Sequence, residues 1–154
     1  MHIVLAGDHS SLELRAYIAA HLGELGYSYT DLGTHSTQST DYPLWGAAAA
    51  KVIASGEADL GIVICGTGIG ISLAANSVKG IRCANCSEPY SAKMAREHNN
   101  AQMLALGART IGPDLALTIV DAFLTSVFTP NERHARRVEE LETLDAGGEL
   151  PSPC

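Results

Sequence analysis

The sequence is poor in the features that mark several common classes of protein. Its 154 residues hold 10 Lys and Arg against 17 Asp and Glu, a formal charge of −7, whereas non-specific nucleic-acid binding needs a basic face. No apolar run approaches the roughly 20 residues of a membrane span, and the first one ends at Gly7, too early for a secretory signal. We therefore expect a cytosolic protein that binds neither nucleic acid nor a membrane. A small anion held by a few local arginines stays compatible with this composition.

The sequence also lacks the two cysteine pairs that a typical zinc site needs. Among the four cysteines only Cys83 and Cys86 form a C-x-x-C pair, and no second pair follows at the spacing of a zinc site. Positions three apart in an extended strand point to opposite faces, so these two thiols are poorly placed to share a metal. We predict free thiols in the core and no metal site.

Apolar segments of two kinds alternate along the chain. Strand-like runs lie at 2–6, 27–33, 58–65, 80–86 and 102–107. Helical patterns lie at 10–26, 44–56, 88–99, 112–128 and 131–144, and a further helix begins within 68–77. This alternation predicts an α/β domain over 1–144, a three-layer αβα Rossmann-like fold with a five-stranded parallel sheet and an extra C-terminal helix. Residues 145–154 are predicted to form a flexible tail.

Local signals mark where several helices begin. Ser10 or Ser11 can cap the first helix, and Glu13 stands where a capping box would need it if Ser10 is the cap. Pro89 and Pro113 stand near the starts of two later helices, where proline is well tolerated. The segment 34–43 is predicted to be a polar loop.

The ends of the predicted strands carry most of the chemically useful groups. In parallel α/β sheets, ligands bind at the carboxyl ends of the strands, near the point where the strand order reverses. The segments that follow the five strands are Gly7 to His9, 33–43, Cys65 to Thr67, Ser87 to Glu88, and Gly107 to Arg109. We therefore expect the functional site at this edge of the sheet.

The stretch CGTGIGIS, which starts at Cys65, is the most informative of these segments. The dinucleotide fingerprint fails because Ile71 stands where its third glycine should be, and a P-loop would need a lysine that is absent. A tight turn alone would not need three glycines. The remaining interpretation is a hole for an anion, in which backbone N–H groups at a helix start also lower the pKa of the thiol. Such a thiolate can act as a nucleophile or as a base, and this turn alone does not decide between them.

Three basic side chains in the second half of the chain also admit two interpretations. His98 ends a predicted helix, where a histidine is usually just stabilised by the helix dipole. Arg133 and Arg137 lie four apart on one face of the last helix, in its first turns. Positive charge there opposes the helix dipole unless an anion binds, yet spacing alone slightly favours a solvated face.

Six separated motifs together resemble a known family. In order they are GDH, TDYP, ICGTGIGISLAAN, GIRCANCSEPYSAKMAREHNN, LALGART and RHARRV. They resemble the type B ribose-5-phosphate isomerases, which belong to a wider family with the galactose-6-phosphate isomerase subunits. The resemblance covers residues 1–144. It implies the isomerisation of ribose 5-phosphate and ribulose 5-phosphate through an enediolate, without a cofactor or metal.

The resemblance also implies roles for the glycine-rich turn. Cys65 matches the base that moves a proton between C2 and C1, and Thr67 assists beside it. The amides of the turn match the hole for the enediolate oxygen, and its substrate-binding residues are Gly66, Gly68, Ile69 and Gly70. On this basis one thiolate carries the proton across one face of the sugar.

Further roles fall on residues outside the turn. Asp8 and His98 match the groups that open the furanose ring. The sugar contacts match Tyr42 and Asn99, and the phosphate clamp matches His9, Arg109, Arg133 and Arg137. In the family the last two arginines come from the partner subunit, so a homodimer, or a tetramer of two dimers, is implied.

Two departures from the family leave the sugar open. Ser11 stands where the family usually has glycine, and Trp45 lies near a position that many relatives fill with tyrosine; both flank the sugar pocket in that family. The alternatives are the same chemistry on allose 6-phosphate, galactose 6-phosphate or a tetrose phosphate. A non-catalytic module that binds a phosphorylated ligand is a third possibility, although such a module has no use for the Cys65 thiol.

Overall fold

A computed structural model describes residues 1–152 and contains a five-stranded parallel sheet with helices on both sides. The strands are β1 His2–Gly7, β2 Ser28–Asp31, β3 Leu60–Cys65, β4 Cys83–Asn85 and β5 Met103–Gly107. The helices are α1 Leu12–Glu24, α2 Tyr42–Ala54, α3 Ile69–Asn76, α4 Pro89–Asn99, α5 Pro113–Leu124 and α6 Glu132–Asp145. The predicted three-layer αβα fold with an extra C-terminal helix is confirmed.

The strand order is β2-β1-β3-β5-β4. From β1 the chain moves outward to β2, and after α2 it returns to place β3 on the other side of β1. The chain then skips one place to β4 and comes back, so that β5 lies between β3 and β4. The strand order therefore reverses between β1 and β3, where α/β sheets bind their ligands.

Two hydrophobic clusters pack the helices against the two faces of the sheet. One cluster joins α1, α4 and α5 to the strands, with Phe123 among its fully buried side chains. The other joins α2 and α3 to the opposite face. Side chains alternate along β3, so Ile62 and Ile64 belong to the first cluster while Val63 and Cys65 belong to the second. Cys65 therefore ends its strand on the α2 and α3 side.

Several predicted boundaries differ from the observed ones. Helix α2 begins at Tyr42 instead of 44 and carries Pro43 in its first turn, so the predicted polar loop is too long. Strand β4 has only three residues, and α5 ends at Leu124 instead of 128. The predicted capping box is wrong, because the N-cap of α1 is Ser11 and its side chain does not cap the helix.

Helix α6 packs beside the end of α4 and the segment that leads into β4. The carboxylate of Asp145 accepts a hydrogen bond from the N–H of Gly80 at 2.7 Å, in the segment that leads into β4. Before α6 begins, the N–H of Thr129 donates to the carbonyl of Glu97 near the end of α4, at 3.0 Å. The predicted mobility of the tail stays a prediction, and its residues 153 and 154 lie outside the described residues.

Candidate active site

The glycine-rich turn after β3 brings a thiol and backbone N–H groups together. Cys65 is only 4% exposed, and the N–H of Gly68 donates to its Sγ at 3.2 Å. Gly68 has φ of +78° at the N-cap of α3, a conformation that favours glycine. The N–H of Ile69 donates to the Thr67 hydroxyl at 3.3 Å. The N–H groups at the start of α3 therefore face the thiol of Cys65 and the hydroxyl of Thr67.

Neighbouring elements approach this turn closely at two glycines, Gly68 in the turn and Gly107 at the end of β5. A Cβ at Gly68 would overlap Asn85 Oδ1, and one at Gly107 would lie 2.7 Å from the carbonyl carbon of Thr67. Arg109, which follows β5, lies over Gly66 and donates its N–H to the Gly66 carbonyl at 3.0 Å. The ends of β3, β4 and β5 thus form one packed unit with the predicted phosphate ligand Arg109 beside it.

The turn after β1 adds a carboxylate and an imidazole to the same edge. Asp8 is 5% exposed, and its Oδ1 accepts from the N–H and the hydroxyl of Ser10 at 2.9 and 2.6 Å. The N–H of Thr40 donates to His9 Nδ1 at 3.2 Å. Because Nδ1 accepts this bond, the neutral imidazole carries its proton on Nε2. His9 is therefore arranged to donate a hydrogen bond from Nε2.

Tyr42 joins this edge from the start of α2. Its ring packs on Gly70, where an added Cβ would lie 2.6 Å from the ring. The ring remains 41% exposed, and the indole N–H of Trp45, one turn later, donates to Thr40 at 3.2 Å. Ser11 is fully buried, so its side chain does not line the surface at this edge.

The remaining predicted site residues lie at the opposite edge of the sheet. Helix α4 starts after the carboxyl end of β4 and runs back along the sheet, so His98 and Asn99 reach the amino edge. The ring of His98 packs against that of His134 of α6, with ring centroids 4.2 Å apart and an angle of 40° between the ring planes. Arg133 and Arg137 are exposed on the same helix.

One chain therefore does not bring all of the predicted residues together. The six residues of β3 span about 20 Å at the usual rise per residue, and the two groups lie beyond its two ends. The carboxyl-edge group consists of Asp8, His9, Tyr42, Cys65, Gly66, Thr67, Gly68, Ile69, Gly70 and Arg109. The amino-edge group consists of His98, Asn99, Arg133 and Arg137.

Sequence reasoning missed a buried arginine that supports the Asp8 turn. Arg15 is 3% exposed, pairs with Asp31 through Nε at 3.0 Å, and donates to the carbonyl of Gly7 at 3.1 Å. A second bond joins it to the hydroxyl of Ser11 at 3.0 Å. An arginine one helical turn after Ser11, within an otherwise apolar helix face, is the only signal that points to this network.

The two cysteines of the C-x-x-C pair are buried on opposite faces of the sheet, as predicted. Cys83 belongs to the cluster under α2 and α3, and Cys86 belongs to the other cluster. Burial, reinforced by the nearby Cys86, raises the pKa of Cys83 to about 12. Burial, reinforced by Glu88, raises the pKa of Cys86 to about 11. Both thiols are therefore protonated at neutral pH and are poor nucleophiles.

Metal and membrane sites were sought over residues 1–152. In that range no three His, Cys, Asp or Glu side chains come together as a possible metal site. No helix in that range is long and apolar enough to cross a membrane.

The chain is similar in sequence to proteins of one known family. A sequence model described as Ribose/Galactose Isomerase matches residues 3–141. Ribose-5-phosphate isomerase B of Escherichia coli K12 is 46% identical over 143 residues, which cover 93% of this chain and 95% of that protein. Both proteins are thus similar over nearly their whole length.

Two solved structures that share this fold are both named ribose-5-phosphate isomerase B. Ribose-5-phosphate isomerase B of Clostridium thermocellum superposes with a TM-score of 0.93 at 49% identity, covering 96% of this chain and 99% of that one. The enzyme of Mycoplasma genitalium with bound ribulose 5-phosphate superposes with a TM-score of 0.89 at 37% identity, covering 94% and 96%.

Proposed function

Because the chain belongs to the ribose/galactose isomerase family, we propose that it is an aldose–ketose isomerase that interconverts ribose 5-phosphate and ribulose 5-phosphate. The observation that carries this proposal is the Cys65 thiol, buried at a strand end with the N–H of Gly68 at 3.2 Å. The relative from Mycoplasma genitalium binds ribulose 5-phosphate, which supports this substrate.

The chemistry follows from the groups in the turn. The Cys65 thiolate removes the proton from C2 of the open-chain aldose, and the electron pair moves onto the carbonyl oxygen to form an enediolate. N–H groups of Gly68, Ile69 and Gly70 stabilise this developing oxyanion. The thiol returns the proton to C1 while the oxygen on C2 loses its proton and becomes the carbonyl. Thr67, beside the thiol, moves the hydroxyl proton between the two oxygens.

Ring opening and phosphate binding need groups from both edges of the sheet. Asp8 accepts the proton of the ring hydroxyl, and His98 protonates the ring oxygen as the furanose opens. Tyr42 and Asn99 contact the sugar. The phosphate is held by His9, Arg109, Arg133 and Arg137. Bidentate arginine contacts are well suited to a phosphate that carries two negative charges.

We propose that a second copy of the chain supplies the amino-edge group. The separation of the two groups by the length of the sheet supports this arrangement, because a pentose phosphate is far shorter than that span. A two-fold homodimer then builds two identical sites, each with the carboxyl edge of one protomer and the amino edge of its partner. Two such dimers can pair into a tetramer. The free, buried thiols of Cys65, Cys83 and Cys86 support a reducing compartment, the cytosol.

A coupled isomerisation assay with a panel of sugar phosphates tests the proposal. We expect kcat/KM to be highest for ribose 5-phosphate and lower for allose 6-phosphate, galactose 6-phosphate and erythrose 4-phosphate. A higher value for one of the other sugars would move the assignment to that substrate. Failure to isomerise every member of the panel would contradict the proposal and favour a binding module. The same assay on a Cys65→Ala variant tests the role of the thiol. Cys83→Ala is its matched control, because it removes another buried thiol that has no role in the proposed site.

A further inference from the structure

We infer that Arg82 is a positioning residue that fixes the geometry of the amino-edge group. The inference rests on the proposed function, since it assigns Arg82 to the half of the site that holds His98, Asn99 and the two arginines of α6. Arg82 does not belong to that group itself and lies just before β4. It acts through the backbone of α4 and through a carboxylate of α6.

The first connection joins Arg82 to the end of α4. Its Nε donates to the carbonyl of Asn99 at 3.0 Å, and both Nε and Nη2 lie 3.3 Å from the carbonyl of Asn100. These carbonyls belong to the last turn of a helix, where backbone acceptors lack partners within the helix. A cation there also complements the negative end of the helix dipole. Arg82 therefore closes the helix directly after the predicted sugar ligand Asn99.

The chain conformation at this point needs such support. Asn100 has φ of +48°, and it is the only non-glycine residue with positive φ among residues 1–152. Asparagine tolerates this left-handed conformation at a helix end, but the backbone must still be held there. A neighbouring guanidinium, that of Arg96, donates to the next carbonyl, Ala101, at 2.7 Å. The segment that follows His98 is thus held by two arginines.

The second connection joins Arg82 to α6. Its Nη1 lies 3.5 Å from Oε1 of Glu142, which follows the predicted phosphate ligand Arg137 by five residues in the same helix. The backbone of Arg82 is itself anchored, because its N–H donates to Gln102 Oε1 at 2.9 Å and its carbonyl accepts from the N–H of Gln102 at 3.0 Å. One anchored guanidinium therefore links the two helices that carry the amino-edge group.

The planar fork of arginine is necessary for this arrangement. A lysine at 82 would keep the positive charge, but its single ammonium group cannot bond the α4 carbonyls and Glu142 in the same fixed geometry. Loss of the fork lets the end of α4 move relative to α6, which displaces His98 and Asn99. Small displacements of positioned groups are costly, about 100-fold in rate for about 1 Å.

Kinetics of Arg82→Met and Arg82→Lys test the inference. We expect Arg82→Met to lower kcat/KM by about 10- to 100-fold and Arg82→Lys to lower it less. Arg136→Met is the matched control, because it removes an exposed arginine of α6 whose partner, Glu140, lies on the same helix, and it should keep the wild-type kinetics. Wild-type kinetics in both Arg82 variants, with an active wild-type enzyme, would overturn the inference while leaving the proposed function intact.

Mixing variants distinguishes positioning of this half-site from general damage to the fold. Subunits of Arg82→Met and Cys65→Ala, mixed and reassociated at random, should regain about a quarter of the wild-type activity, because half of the dimers carry one intact site. Subunits of Arg82→Met and Arg137→Ala should regain none, since both lesions fall in the same half-site. Recovery of activity in the mixture with Arg137→Ala would contradict the inference. So would no recovery in the mixture with Cys65→Ala, provided that Arg137→Ala and Cys65→Ala subunits restore activity when mixed with each other. If Arg82→Met does not fold, Arg82→Lys gives the same comparison.

Discussion

The two edges of the sheet hold their functional groups in different ways. At the carboxyl edge, Asp8 and Cys65 are nearly buried and are bonded by backbone and hydroxyl groups within about four residues of the chain. At the amino edge, Arg133 and Arg137 are exposed on a helix and reach outward. Proton transfer needs fixed, desolvated groups, whereas a phosphate can be bound by long, flexible arginine side chains that move to contact it. The carboxyl edge is therefore suited to the proposed proton transfer at carbon. The exposed arginines of the amino edge are suited to binding the phosphate together with His9 and Arg109.

The largest expected effect comes from removing the thiol at the carboxyl edge. Cys65→Ala should lower kcat by at least roughly 100-fold, the lower range for a positioned acid–base group, and leave the fold unchanged. The measurement is kcat for ribose 5-phosphate together with a thermal unfolding curve. Turnover near the wild-type rate would remove Cys65 from the role of base, and Cys83→Ala serves as the control.

The next largest effect should come from the amino edge and fall on a different kinetic parameter. Arg137→Ala should weaken substrate binding by about 1.5–3 kcal/mol, the loss expected for a charge-assisted hydrogen bond, and so raise KM with a smaller change in kcat. Arg136→Ala, the exposed neighbour, should leave KM unchanged. If Arg137→Ala lowered kcat as strongly as Cys65→Ala and left KM unchanged, the assignment of Arg137 to phosphate binding would be wrong.

A smaller effect is expected where Tyr42 packs on the glycine-rich turn. An added methyl group at Gly70 would overlap the Tyr42 ring at 2.6 Å, so the ring must move. Gly70→Ala should raise KM by roughly tenfold, which corresponds to about 1.4 kcal/mol of lost binding. Gly23→Ala in α1 is the control, because a Cβ there meets no atom within 4 Å. Equal KM values for the two variants would show that the position of Tyr42 does not matter for the sugar.

The smallest expected changes concern the other two buried thiols, Cys83 and Cys86. The raised pKa values of Cys83 and Cys86 keep both thiols protonated, so iodoacetamide at pH 8 should label neither of them in the folded protein. Cys65 should be labelled, and bound substrate should prevent its labelling. The unfolded chain loses these protons near pH 9, before the folded protein does. The free energy of unfolding should therefore fall as pH rises from about 9 towards 11. Stability that does not change over this interval, or labelling of Cys83 at pH 8, would contradict the burial of these groups.

The alternation of strands and helices predicted the layers of the fold because each pattern reports which side of a segment is buried. It did not predict that β5 lies between β3 and β4, because strand order depends on long-range pairing that no local pattern records. The early start of α2 was missed because Tyr42 and Pro43 lie in a polar segment, although proline in a first turn is a known helix signal.

The site was predicted unevenly for a similar reason. Cys65 and Asp8 follow strands directly, and the position of strand ends in a parallel sheet already points to function. His98 and Arg137 have no such local signal, and their roles came from a resemblance. Arg82 and Arg15 were missed because a single arginine gives no pattern in a sequence, and its partners are distant backbone carbonyls.

In the proposed dimer, each site uses the carboxyl edge of one protomer and the amino edge of its partner. Reassociation of mixed Cys65→Ala and Arg137→Ala subunits tests this claim directly, with each variant alone as the control. We expect the mixture to regain about a quarter of the wild-type activity, because about half of the dimers are hybrids and each hybrid has one of its two sites intact. A well-mixed sample with no more activity than the two variants measured separately would contradict a site shared between subunits.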